Sequence, residues 1–357
     1  NSIGAMHKYT EIADREPMYQ GGFLWDYIDQ ALMQKDRYGN DYLAYGGDFS
    51  DRPTDYNFCT DGIIYANRVE SPKMQEVKYN YQSIGIEVDL NGMLVHNKNL
   101  FTNTSEYDWV LLVSKEGVKI KEYPLCVDIE PLTNEYISFP EIILPKGLEY
   151  SFLVSVRLKE MEAFAGKGHE IAFGQFVLET EKVVEAKENK KITVVDGDVN
   201  IGVKGEHFHV IFSKDRPGIV SYRYGNHELL NAIPKPNFFR APTDNDNGYG
   251  MTGIYAQWKI ASMYSYKKSV QLSFDDYEAV IIYEYDFPTT PKAGCTVEYR
   301  VTGGGKIAVK LTYLHVYELG GMPEFGMMFQ MPADYDIVTW YGMGPEENYC
   351  DRVHGAR

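Results

Sequence analysis

The chain has 357 residues, 44% hydrophobic and 24% charged, the balance of a globular protein and not of a disordered one. Against 51 Asp and Glu stand only 35 Lys and Arg, and the net charge of −16 argues against nucleic acid and anionic membrane surfaces as partners. No apolar run approaches the roughly 18 residues of a membrane-spanning helix, and at about 150 residues per domain the length predicts two or three domains. Aromatic residues make up 14% of the chain, a supply suited to sheet faces and to flat apolar platforms for a neutral ligand such as a sugar.

Residues 1–9 show neither the charged nor the apolar region of a targeting segment. They read as a helix that opens without preamble, with Asn1 or Ser2 as its cap and Ile3, Met6 and His7 at helical spacing. That abruptness predicts a chain cut from a longer protein. Residues 21–25 (Gly-Gly-Phe-Leu-Trp) follow Pro17 and read as a short buried strand, with a helix-like or turn-like stretch over 26–33. Residues 37–67 form a long polar loop punctuated by Gly39, Gly46 and Gly47, and loops of that length inside a compact domain usually carry function.

From about Lys73 the pattern turns to strands, predicted at 83–90, 93–101, 109–114, 118–125, 149–158 and 170–178. Turns such as Asn91-Gly92 separate them at the spacing of a β-sandwich. The charged stretch 186–191 marks a boundary. A second β region follows, with strands predicted at 192–195, 199–203, 207–213, 219–224, 279–287, 295–302 and 306–315. Residues 340–349 read as a last strand leading into a polar turn, and ending there would leave an unpaired edge.

Four stretches could carry chemistry. In residues 21–30, Trp25 could be a platform for the apolar face of a sugar, with Asp26, Asp29 and Gln30 placed for hydroxyls; a core indole beside capping aspartates is the plainer alternative. Residues 46–62 hold Asp48, Asp51, Asp55 and Asp61 among Gly and Pro, a set that suits either a hard cation or ordinary Asx turns. Residues 240–248 (Arg-Ala-Pro-Thr-Asp-Asn-Asp-Asn-Gly) read as an exposed loop, with capping as the plainer alternative, and 344–352 as a further polar turn. His207 and His209 alternate on one strand face but lack a third ligand, so no metal is expected there.

Cys59, Cys126, Cys295 and Cys350 lie far apart without a Cys-x-x-Cys pair, which favours buried free thiols over disulfides or zinc. Asn103-Thr104-Ser105 fits a glycosylation sequon of a kind common by chance. Phosphate-binding, dinucleotide-binding, serine-hydrolase and zinc-protease motifs are all absent.

Taken together, residues 21–30, 46–62, 240–248 and 344–352 resemble the large multi-domain bacterial β-galactosidases of glycoside hydrolase family 2, in order and at plausible spacing. The resemblance implies a mostly β multi-domain fold: the end of a (β/α)8 barrel over 1–70, an immunoglobulin-like β-sandwich over 71–182, and the N-terminal part of a β-supersandwich (galactose-mutarotase-like) over 183–357. It implies that Trp25 lies under the galactose, that the Phe58 carbonyl ligates a sodium ion, and that Asp61 ligates that ion and reaches the sugar. The family's best-known members carry Asn at the place of Asp61, so the added charge bears on the sodium preference. Arg240, Asp244, Asn245 and Asp246 would form a loop wall beside the active site.

The same resemblance places the nucleophilic glutamate just before Asn1, the acid/base glutamate and the Mg2+ ligands further upstream, and a late Trp after Arg357. No catalytic residue is then expected in this chain. Asp26, Asp29 and Asp48, the nominees by residue chemistry alone, are set aside. The implied activity of the full-length protein, a homo-oligomer, is hydrolysis of terminal β-D-galactose with retention, while this chain alone is expected to be inactive. Two alternatives stand beside that reading: a sibling glycosidase with another sugar preference, and a non-catalytic sugar-binding or assembly subunit of a split enzyme. Because residues 1–68 cannot close a barrel, their apolar faces are expected to need cover from another chain or the neighbouring sandwich.

Overall fold

The computed structural model describes residues 3–55, 58–144, 149–179 and 189–357, and the chain separates into two compact units, Asn1–Val184 with Trp340–Arg357, and Glu185–Thr339. Strand is the dominant element in both. Among the described residues no helix is long and apolar enough to cross a membrane.

The first unit opens with a helix over Met6–Arg15, later than the sequence predicted. Asn1 and Ser2 lie outside the described residues, and the cap position is Ala5 in a left-handed conformation with no side-chain cap. Residues 21–25 are not a buried strand: Phe23 and Trp25 project into solvent. An alternation-free apolar run signals burial only when a partner covers it, and here only Leu24 is covered, against the small core of Ile3, Met6, Ile63 and Val77. The predicted helix-like stretch over 26–33 is also replaced. Ile28 bridges Ile64 in parallel, and Leu32–Lys35 then pairs with Asp41–Ala44 in an antiparallel hairpin that turns at Gly39. The long loop therefore contains a strand. A small core of Ile3, Met6, Ile63 and Val77 ties the first helix to a second, Lys73–Asn80, which the sequence had read as the start of the β region.

The sandwich has the predicted character. A three-stranded sheet (Ile84–Val88, Gly92–Asn97, Asn134–Ser138) faces a four-stranded one ordered Val118–Leu125, Tyr107–Lys115, Tyr150–Leu158, Glu170–Leu178, all antiparallel. Seven strands in two sheets is the immunoglobulin-like arrangement. Period-two alternation aims Ile84, Ile86, Met93 and Val95 from one sheet, and Leu111, Val113, Phe152, Val154 and Val156 from the other, into one core. Each such side chain contributes about 1.5–3 kcal/mol on burial. The sheets meet closely at Gly174, where a Cβ would lie 2.5 Å from the Ile86 carbonyl oxygen. Asn134–Ser138 was missed because three of its residues are exposed and polar, leaving little apolar alternation to read.

In the second unit a five-stranded meander runs from Thr193–Asp196 to His227–Glu228, and a four-stranded meander comprises Tyr266–Phe274, Glu278–Asp286, Gly294–Thr302 and Ile307–Tyr313. A further pair joins Ala232–Asn237 to Gly326–Gln330. Ala279, Ile281, Tyr283 and Tyr285 alternate inward beside Cys295, Val297, Tyr299 and Val301, and meet Val210, Phe212 and Trp258 in one core. Residues 240–248 are not simply a loop: Asp244–Gly248 is a short helix, followed by Met251–Ile254 and Ala256–Met263. Half of the predicted boundary stretch 186–191, residues 186–188, lies outside the described residues. Nor do residues 340–349 form a strand; only Tyr349 and Arg352 bridge, and the stretch belongs to the first unit.

Candidate functional site

The two segments singled out near the start of the chain come together. Backbone hydrogen bonds run from Asp26 N–H to the Asp61 carbonyl at 2.9 Å, from Gln30 N–H to the Cys59 carbonyl at 2.9 Å, and from Ile63 N–H to the Asp26 carbonyl at 3.0 Å. Residues 26–30 and 59–64 are thus laced side by side. Gly62 permits the closeness: a Cβ there would lie 2.2 Å from the Asp29 nitrogen. Lys73 Nζ and Ser71 Oγ cap the Gly62 and Ile63 carbonyls from the far side.

On this lattice Trp25 stands 75% exposed and Phe58 65% exposed, with Tyr27 exposed between them in sequence. Asp61, by contrast, is only 9% exposed. Among the described residues, no hydrogen bond or ion pair engages its carboxylate. Four other carboxylates of these segments are occupied. Asp29 Oδ1 accepts the Gly62 N–H at 2.8 Å, Asp48 Oδ2 accepts the Tyr45 N–H at 3.0 Å, and Asp26 accepts from the Gln30 amide. Asp51 accepts the Gly47 N–H at 2.8 Å, and this bond holds its carboxyl below the usual range. Asx-type turns therefore account for most of the acidic run.

Cys59 reports on the local field. Burial, and then the charges of Asp29, Asp61 and Asp48, push its thiol up. The combined charge of those three carboxylates is felt at a buried thiol, and a negative local field of that kind favours a cation. Among the described residues no cluster of three or more His, Cys, Asp and Glu side chains could hold a metal ion, so an ion at Asp61 would need carbonyl oxygens to complete its shell. The Phe58 carbonyl is three residues away in the chain. That donor set of hard oxygens fits an alkali or alkaline-earth ion and not zinc.

Arg240, Asn245 and Asp246 belong to the second unit and form a self-contained structure. Thr243 and Asp246 make a reciprocal capping box, with the Thr243 N–H donating to Asp246 Oδ2 at 2.8 Å. Arg240 grips the same carboxylate with both guanidinium nitrogens, Nη2 at 3.1 Å from Oδ1. Led by the Arg240 bonds, these contacts hold the Asp246 carboxyl well below the usual range. Asn245 is exposed, and Asp244 begins the helix. The capping box was visible as Thr-x-x-Asp, and that signal corrects the reading of a loop.

Sequence reasoning missed Glu76, a carboxylate 4% exposed on the Lys73–Asn80 helix. Nothing in its spacing marks it as buried. His209 is exposed, whereas His7 and His354, far apart in sequence, meet ring to ring. The thiols divide: Cys59 and Cys295 are buried, whereas Cys126 and Cys350 are exposed, contrary to the expectation of four buried ones.

Three family models match the chain in series. Residues 1–86 match "Glycosyl hydrolases family 2, TIM barrel domain", residues 93–179 match "Beta-galactosidase, domain 4", and residues 204–357 match "Beta galactosidase small chain". The chain belongs to glycosyl hydrolase family 2. Among its family-2 relatives, the β-galactosidase of Clostridium acetobutylicum is 45% identical over the whole chain, which covers 40% of that protein. The β-galactosidases of Halalkalibacterium halodurans and Streptococcus thermophilus are 43% and 37% identical, again over the whole chain, which spans 36% and 34% of their lengths. The chain thus spans well under half the length of these relatives. The end of the family's barrel and two β-rich regions account for the mixed architecture described above.

Proposed function

We propose that this chain is a portion of a β-galactosidase and that it supplies the sugar-binding wall of the active site, not the groups that break the bond. The observation that carries the reading is the exposed Trp25 indole on the same lattice as the buried Asp61, whose carboxylate no described residue engages. An indole offers a flat apolar face to the C–H side of a pyranose. A buried carboxylate accepts a hydrogen bond from a hydroxyl or binds a cation that the hydroxyl oxygen coordinates, and it is worth most where water is excluded.

Asp61 and the Phe58 carbonyl would hold a sodium ion, which would supply a fixed positive charge for sugar hydroxyls to lean on. Retention of configuration requires two carboxyl groups about 5–5.5 Å apart, one attacking and one protonating. Asp26, Asp29 and Asp48 are poor candidates for either role, because each accepts a hydrogen bond that builds the local chain path.

Assay of a chromogenic β-galactoside tests the proposal. The purified chain should show no turnover, whereas the whole protein should turn over and lose substrate affinity at Trp25→Ala. Turnover by the chain alone, abolished at Asp26, Asp29 or Asp48, would overturn the division of labour. In the whole protein, replacing Na+ by a large organic cation should raise KM, and Asp61→Ala should remove that dependence.

A further inference from the structure

Residues 340–357 follow the second unit in sequence but pack with the first. Their end is fastened by Glu76. One carboxylate oxygen accepts the Gly355 N–H at 2.8 Å; the other lies 3.1 Å from His354 Nδ1 and 3.0 Å from the Asn80 amide. A carboxylate only accepts here, so Nδ1 carries the proton. The imidazole of His354 in turn packs against that of His7 on the first helix, centroids 4.2 Å apart and planes tilted by 39°.

Shape is read as strictly as charge. A Cβ on Gly355 would lie 2.3 Å from the Gln75 carbonyl oxygen and 2.9 Å from the Glu76 Cα. Those are backbone atoms of a helix and cannot step aside cheaply. Further anchors hold the segment along its length. Ala5 N–H donates to the Asp351 carbonyl at 2.7 Å, and Glu346 N–H donates to the Gln75 side chain at 3.1 Å. Arg357 meets Glu170 at 2.8 Å and lies over the Phe173 ring.

We infer that the face built on the Lys73–Asn80 helix is a peptide-binding site, and that residues 340–357 are its resident ligand, able to dock without a covalent link. Glu76 recognises a backbone N–H and an imidazole at consecutive positions, and the Gln75 carbonyl demands glycine at the second. Without the occupant the buried Glu76 carboxylate would keep the Asn80 amide but lose the Gly355 N–H and the His354 imidazole, so an empty site is costly and recapture of the segment is favoured.

The test uses the folded full chain with site-specific protease sites placed within residues 180–188 and in the exposed turn at residues 333–334. After both cuts, native mass spectrometry should find the 340–357 segment still bound to the first unit. A labelled synthetic peptide of residues 340–357 should exchange into the site, and the Gly355→Ala and His354→Ala peptides should compete at least tenfold more weakly. Placing the substitutions in the peptide keeps the receptor's folding out of the comparison. Release of the segment on cutting, or equal potency of the three peptides, overturns the inference.

Discussion

Asp29 Oδ1 accepts the backbone N–H of Gly62 at 2.8 Å, joining two segments 33 residues apart, and no side chain fits at the accepting residue's partner. An Ala at position 62 would press on the Asp29 nitrogen and on the Ile64 carbonyl oxygen, which lies 2.6 Å from the added carbon. Overpacking of this kind costs about 1–3 kcal/mol. Gly62→Ala should therefore open the Ile28–Ile64 bridge locally. Hydrogen exchange should lose protection at residues 26–30 and 61–64 while the sandwich strands keep theirs. Unchanged exchange in those peptides would refute it.

The thiols give a second check. Cys126 and Cys350 are exposed, while Cys59 and Cys295 are buried. Burial pushes the Cys295 thiol up to about 12, and burial with three neighbouring carboxylates pushes Cys59 up as well. Only the thiolate reacts with a maleimide, so two thiols should label fast at pH 8 and two about tenfold slower or more. Asp61→Asn removes one of the charges raising Cys59 and should speed its labelling without moving Cys295.

Asp246 carries the pH-dependent prediction. Arg240 and the Thr243 cap hold its folded-state carboxyl well below the unfolded value of about 3.9. A depressed carboxyl stabilises the fold above that unfolded value, and the contribution disappears as pH falls through the folded one. Asp246→Asn should thus lower the unfolding midpoint of the second unit by a constant amount between pH 5 and 7. The difference should begin to shrink below about pH 4 and close only once the pH has passed the much lower folded-state value. A difference that grows on acidification would reverse the assigned sign.

How much of this could be read from residues alone depended on who covers each segment. Strands at 118–125 and 170–178 match the sequence reading to the residue, because turns fix their ends and both lie within one sheet. Tyr266–Phe274 escaped notice because it lies at one edge of its sheet with most of its residues exposed, so no apolar face is written into it. Residues 21–25 erred in the other direction, since Phe23 and Trp25 are apolar but uncovered. At the site, the Gly62 approach and the burial of Asp61 are facts of packing, which spacing along the chain does not encode. Glu76 is the same case in sharper form: an ordinary helical glutamate by sequence, and the anchor of residues 354–355 by position.

The buried tyrosines of the second unit separate the value of a hydroxyl from that of its ring. Tyr283 and Tyr299 face each other edge to face with centroids 6.1 Å apart, and both are fully buried. Tyr283 donates its O–H to the Ser213 carbonyl at 2.9 Å, whereas the Tyr299 O–H has no partner among the described residues. Removing the first hydroxyl strands a buried carbonyl acceptor, so Tyr283→Phe should cost about 0.5–1.5 kcal/mol. Removing the second relieves a buried polar group that is already unsatisfied, so Tyr299→Phe should be neutral or stabilising. Both rings remain, which keeps packing constant across the pair. Urea denaturation of the two variants side by side decides it: Tyr299→Phe must have the higher midpoint. The opposite order would mean that the Tyr299 hydroxyl is satisfied in solution, and that this core is wetter than its packing indicates.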